Sequence, residues 1–168
     1  MSLFDSHCHL DVDAYEDDAG VDAAVQRARD AGVIRMLTIG AGYGLVGARR
    51  AVGVAERHDD VWASVGVHPH DAKEWTPEEW AGMEALAANP RVVAIGEIGL
   101  DFHYDNSPRD TQRAVFRHQI RSAKALDLPI IIHDRDSEGE TYDILDEEAA
   151  WQGRGVVVHC FTGDVTMM

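Results

Sequence analysis

The chain is poor in what would crosslink it, anchor it in a bilayer or hold a polyanion by charge alone. Its 168 residues include two cysteines, Cys8 and Cys160, with no CxxC spacing. That excludes a disulfide framework and makes a reducing cytosol the expected setting. No apolar run approaches the length of a membrane span, and the opening Met-Ser-Leu-Phe-Asp-Ser-His has neither a basic segment nor a long apolar stretch. A cytoplasmic, untargeted, non-membrane protein is therefore expected. Only Lys73 and Lys124 are lysines among fifteen basic residues, a lopsidedness that reads as base-composition bias. Basic charge itself is scarce: thirty acidic residues leave a formal net charge of −15. Non-specific attraction to nucleic acid is excluded, because neutralising phosphates needs a basic surface. Missing too is a Gly-x-Gly-x-x-Gly after the first apolar run, which disfavours a dinucleotide fold.

What is present is enough apolar material, 45% of residues beside 27% charged, for one soluble globular domain spanning 1–168. Short β-branched runs recur at Leu3–Phe4, Ile34–Ile39, Val61–Val67, Val92–Ile95, Pro129–Ile132 and Gly155–Val158. Between them lie helical patterns such as Val21-Ala24-Val25-Ala28 and Val115-Ile120-Ala123-Leu126. Thr76-Pro77-Glu78-Glu79 reads as a capping box with proline at the first helical position, Ser107-Pro108 opens the next long helix similarly, and Gly32 is placed to stop the first one. A repeating strand–helix unit implies a parallel sheet covered by helices, closed as a barrel or open and doubly wound.

Polar clusters stand at the carboxyl ends of these runs, the face on which barrels of this type build their sites. His7 and His9 are two residues apart, so extended backbone points both imidazoles the same way, at one metal, while Cys8 turns to packing. Glu97 is set between glycines in Gly96-Glu97-Ile98-Gly99-Leu100-Asp101 where an apolar run ends, and a carboxylate has two oxygens with which to bridge two cations. His133 and His159 each follow three β-branched residues. Gly66-Val67-His68-Pro69-His70 faces the same way and reads as substrate contact or support for the ligands, with a plain loop role as the alternative. Arg135 is a candidate phosphate clamp, because a guanidinium meets phosphate oxygens two at a time. His58 and His118 fall in helical stretches and are expected in solvent. Any phosphate chemistry in so acidic a chain must rest on metal ions, which can reverse the local potential.

In order and spacing these motifs resemble the TatD-like metal-dependent deoxyribonuclease family: Asp5-Ser6-His7-Cys8-His9-Leu10-Asp11, Gly66-Val67-His68-Pro69-His70, Gly96-Glu97-Ile98-Gly99-Leu100-Asp101-Phe102, Ile132-His133-Asp134-Arg135 and His159-Cys160-Phe161-Thr162-Gly163. The resemblance implies a TIM-barrel-like (β/α) metal-dependent hydrolase fold. It implies one divalent metal on His7, His9 and Glu97 and a second on Glu97, His133 and His159, with the metals being Zn, Mg or Mn. Glu97 and His133 would stand at the catalytic centre, and His68, His70, Asp101, Tyr104 and Arg135 would touch the substrate, DNA as a single strand or an end. Family members resemble eight-stranded barrels of about 250 residues, so six runs imply an incomplete barrel without the family's late Asp ligand. Its unpaired edge strands would invite self-association.

Three other readings compete. An amidohydrolase of the same barrel class often bridges its metals with a carboxylated lysine, and neither Lys73 nor Lys124 ends an apolar run. Removal of D-amino acids from mischarged tRNA is an ester hydrolysis that the same metal pair can run. A non-catalytic remnant that binds metal or nucleic acid without turnover is the third.

Overall fold

The computed structural model describes residues 2–11, 15 and 17–161. Six parallel strands, β1 (Leu3–Cys8), β2 (Val33–Gly40), β3 (Val61–Val65), β4 (Val92–Asp101), β5 (Ile130–Arg135) and β6 (Val156–Val158), lie side by side in chain order. Helices α1 (Asp18–Asp30), α2 (Gly44–Arg57), α3 (Pro77–Ala87), α4 (Arg109–Ala125) and α5 (Glu140–Glu147) cross between successive strands. An order that never reverses is how a barrel wall grows. A doubly wound sheet would turn back at a switch point, so the barrel alternative is the one realised. Among the described residues β1 and β6 each pair on one side only.

Each expected apolar run lies in or overlaps a strand; the central runs are buried on both faces, as in a parallel sheet under helices, while Leu3, Phe4, Ile34 and Val157 stay exposed. Val25, Met36, Ala51, Ile95, Ile98, Ile120, Ile132 and Leu145 form the main core between sheet and helices. Leu37, Ile39, Ala41, Ala94 and Ile131 form a smaller cluster, with Trp62 and Val93 against it. The helical patterns bury the expected stripes, Val21 and Val25 of α1 and Val115, Ile120 and Ala123 of α4.

The helix borders differ from expectation in one useful way. Thr76 caps α3, accepting from the Glu79 N–H, and Pro77 takes the first position. Glu79, however, does not return to its own cap: its Oε1 accepts from the Leu45 N–H at 3.2 Å. The first turn of α2 needs it, because the residue preceding that helix is Tyr43, whose side chain makes no capping bond. Pro108 stands one position earlier than expected, at the cap of α4, and the Ser107 hydroxyl donates instead to the His70 carbonyl at 2.7 Å. Gly32 follows α1 at φ 94°, as its stop position requires.

Glu97 and His133 lie inside their strands rather than just past them, because β4 runs on to Asp101 and β5 to Arg135. Their pairing is irregular between Ile95 and Ile98, where two residues of β4, Gly96 and Glu97, oppose one of β5, Ile131. Just beyond it Gly99 lets β5 come close beside β4: a Cβ there would stand 1.9 Å from the His133 carbonyl oxygen, on a backbone at φ +148°. Gly99→Ala should therefore destabilise the fold by about 2 kcal/mol or more, measured by urea unfolding. Wild-type stability in that variant would show that the close approach is not required.

Candidate metal centre

The carboxyl ends of the strands open on a pocket of about 480 Å³ lined by His9, Asp11, Tyr43, His68, His70, Glu97, His133 and His159 among others. Its placement depends on α4. Gln112, buried on the inner face of that helix, receives the Asp101 N–H at 2.8 Å and donates to the Asp101 carbonyl at 3.1 Å. Two turns later Gln119 receives the Val67 N–H at 2.7 Å and donates to the Val67 carbonyl at 3.1 Å. Two side-chain amides on one helical face thus hold the backbone at the ends of β3 and β4.

Glu97 lies at the middle of the histidines and is 3% exposed. His133 Nδ1 is 2.9 Å from its Oε1 and His7 Nε2 is 3.4 Å from its Oε2. Burial works to raise the Glu97 pKa, but the His133 bond and the His7 ring outweigh it and hold the carboxyl well below the usual carboxylate range. Asp101, fully buried at the end of the same strand, accepts from His70 Nε2 at 2.8 Å and His133 Nε2 at 3.0 Å on one oxygen. The other oxygen accepts the His103 and Tyr104 N–H groups. The Asp101 pKa is likewise lowered: burial opposes, and the Tyr104 N–H and the two histidines prevail. His133, between two carboxylates, has its pKa raised against the effect of burial by Glu97 and then Asp101.

Two compact donor groups share Glu97: His7, Glu97 and His159, and His68, Glu97 and His133, with the ligand atoms of each group within 4.8 Å of one another. The His7 and His159 rings stack at 3.5 Å. His7 Nε2 is buried and has no hydrogen-bond partner, its contact with Glu97 being out of line for an N–H. A buried imidazole nitrogen without a proton partner beside a carboxylate is what a cation would satisfy, and nitrogen plus carboxylate oxygen is a donor set for Zn²⁺ or Mn²⁺. The grouping differs from the one the family resemblance implies. His159 stands with His7, whereas His9, its side chain 45% exposed, lies edge-on to the His7 ring at 5.2 Å and in neither group.

His68 enters the second group by distance, but its hydrogen bonding argues for a donor. The His70 N–H donates to His68 Nδ1 at 3.2 Å, which places the ring proton on Nε2, 3.3 Å from His133 Nδ1. Burial, then the neighbouring His133 charge, pushes the His68 pKa down to about 3, so the ring is neutral throughout the working range. Tyr104 lies at the rim with its ring 5.5 Å from that of His70, and the exposed Arg135 guanidinium lies 5.0 Å over the Tyr104 ring. Cys8 packs as expected, its thiol donating to the Leu37 carbonyl, and burial pushes its pKa up to about 12. Thr162 and Gly163 lie outside the described residues.

Two histidines differ from expectation. His58 caps the end of α2 with its side chain 11% exposed, bonded to Asp22 at 2.9 Å. His118 is half-buried between the rings of Trp75 and Trp80, since its face of α4 turns towards the end of the Pro69–Glu74 turn and α3. Helical periodicity alone does not say which polar face meets a neighbour. Neither Lys73, bonded to the Asn106 carbonyl, nor Lys124, bonded to the Glu148 carbonyl, reaches the centre.

Sequence reasoning quoted Asp11 only within a motif and passed over Tyr43. Asp11 is 4% exposed, with Oδ1 lacking a hydrogen-bond partner and 3.9 Å from His9 Nδ1. The signal for Tyr43 was its place, just past an apolar run and between two glycines.

A parallel β/α barrel wall with a buried carboxylate ringed by histidines at the strands' carboxyl ends is the architecture of the metal-dependent hydrolases. Likeness to known proteins narrows that class. The chain belongs to the TatD related DNase family, whose model matches residues 4–168. It is 43% identical over 161 residues to the uncharacterized metal-dependent hydrolase YabD of Bacillus subtilis, covering 96% of this chain and 61% of that protein. It is 42% identical over 156 residues to the 3′-5′ ssDNA/RNA exonuclease TatD of Cronobacter turicensis, covering 92% of this chain and 57% of that one. Among solved structures, YjjV, a TatD homologue from Escherichia coli, superposes with a TM-score of 0.87 at 29% identity, covering 98% of this chain and 62% of that one. The chain thus spans about three fifths of the length of these relatives.

Two predictions follow from the buried carboxylates. Glu97→Ala should abolish tight divalent-metal binding in calorimetry, whereas His58→Ala should leave it unchanged; equal affinity in both variants would overturn the assignment of Glu97. For Asp11, burial pushes the carboxyl up to about 6 from an ordinary 3.8. The folded state then holds the proton more tightly, so stability falls as pH rises through this window, by about 3 kcal/mol at most. In metal-free protein, Asp11→Asn should melt above wild type at pH 8 and lose that advantage near pH 4.

Proposed function

We propose that this chain carries the metal site of a nuclease that hydrolyses phosphodiester bonds in DNA, with single strands or ends as substrate. The observation that carries the reading is Glu97, one buried carboxylate facing His133 with one oxygen and His7 with the other, and shared by both donor groups. A carboxylate so placed would have one oxygen for each of two cations. In this reading His7, His9 and Glu97 hold one cation and Glu97, His133 and His159 the other. The two compact groups favour a variant in which His159 stands with His7. Divalent cations here, Zn, Mn or Mg, would supply Lewis acidity towards the phosphodiester and a more acidic water.

The protein's own residues do the rest. Asp101 orients the His133 ring through Nε2, leaving Nδ1 for the centre. Glu97 and Asp101 raise the His133 pKa, so a cation held at Nδ1 would compete with a proton there. His68 presents an N–H donor towards the centre, His70 is held on Asp101, and Tyr104 with Arg135 forms a rim that suits a nucleotide and its phosphate. The D-aminoacyl ester alternative has no comparable support, since relatives are named as exonucleases. A cytoplasmic setting belongs to the same proposal, as does pairing with a second copy through β1 and β6, which among the described residues each pair on one side only. The free cysteines and the one-sided edges support them, and a strictly monomeric, fully active chain in light scattering would overturn the second.

End-labelled single-stranded DNA should be shortened by this chain with Mn²⁺ or Mg²⁺, and the activity should vanish with chelator and in Glu97→Ala. Metal binding without any turnover would favour the non-catalytic remnant instead.

A further inference from the structure

Tyr43 combines three features that stability does not explain. It sits in the left-handed region, φ 60° and ψ 27°, where a bulky residue is strained. It occupies the cap of α2, where Ser, Thr, Asp or Asn would bond the helix, and its side chain makes no such bond. The residue is 56% exposed while lining the same pocket as Glu97 and His133.

The surroundings hold it there. The Tyr43 N–H donates to Asp71 Oδ2 at 3.1 Å, and Glu79 caps the α2 turn that follows. Gly47 lets α2 press against the loop, since a Cβ at Gly47 would stand 1.8 Å from the Gly42 carbonyl oxygen. A Cβ at Gly42, by contrast, would meet nothing within 4 Å, so the loop is open at that position. Tyr43 follows β2 and Tyr104 follows β4, with the His68–Asp71 segment after β3 between them.

We propose that Tyr43 is a stacking post for one unpaired nucleobase, a specificity-determining subsite beside the metal centre. This rests on the nuclease reading above. An open aromatic face on a backbone held in place offers every base the same π-contact, which gives affinity without sequence preference. In a duplex both faces of a base are already stacked, so the post admits single strands and frayed ends and passes over paired ones.

The test is binding of a fluorescein-labelled, hydrolysis-resistant phosphorothioate oligothymidylate by anisotropy, with and without Mn²⁺, beside the same backbone carrying abasic sugars. Tyr43→Gly, which suits the left-handed backbone, should weaken oligothymidylate binding about tenfold, Tyr43→Phe should bind as wild type, and the abasic strand should bind all three alike. Unchanged affinity in Tyr43→Gly would overturn the proposal. So would an equal loss on the abasic strand, which would assign the effect to loop structure, or a loss in Tyr43→Phe, which would assign it to the hydroxyl. If wild type neither binds the strand nor cleaves DNA, the nuclease reading itself fails, an outcome distinct from the other three.

Discussion

Two carboxylates four residues apart on β4, Glu97 and Asp101, are both taken almost completely out of solvent. Burying two negative charges side by side is tolerable only if positive or polarised groups face them. Here histidines from other segments do so: His7 from β1, His70 from the turn after β3, and His133 from β5, which bridges the pair. Once these charges are buried, the loops after the other strands must converge on them. The irregular pairing of β4 with β5, and the close approach of the two strands at Gly99, serve that convergence.

The surrounding scaffold is arranged to hold backbone rather than side chains in place. Gln112 and Gln119 of α4 each bond both the N–H and the carbonyl of a single residue at the end of a neighbouring strand, so α4 sets the positions of Asp101 and Val67 together. On its outer face the same helix carries Arg113, Arg117 and Arg121, which pair with Glu140, Glu147 and Glu148 of α5 and its end. Individually such surface pairs contribute little. As a row they fix how α5 lies on α4, and they give the lopsided arginine content a structural use that composition alone did not suggest.

The loop after β2 shows a different balance. A strained tyrosine, a helix without its own cap and an exposed aromatic ring are local conflicts; Asp71 and Glu79 compensate the first two from elsewhere, and the ring stays exposed. Conflicts of this kind concentrate where a protein meets its ligand, because the residue is selected for its contact and not for its backbone.

By itself the sequence determined the elements and the chemistry. Short β-branched runs separated by helical stripes became six parallel strands and their crossovers because periodicity and burial are local properties of the chain. The ligand types were legible too, since His-x-His, Glu between glycines and histidines ending apolar runs are readable in one dimension. What only the tertiary structure decided was who faces whom. Local pattern could not tell that Glu97 stands inside a strand, that His159 meets His7 while His9 stays half in solvent, that His58 and His118 are packed, or that Glu79 caps a neighbouring helix instead of its own. Those facts depend on register between strands and on which helix face meets a neighbour. Both arise from contacts between residues far apart in the chain, which spacing along it does not encode.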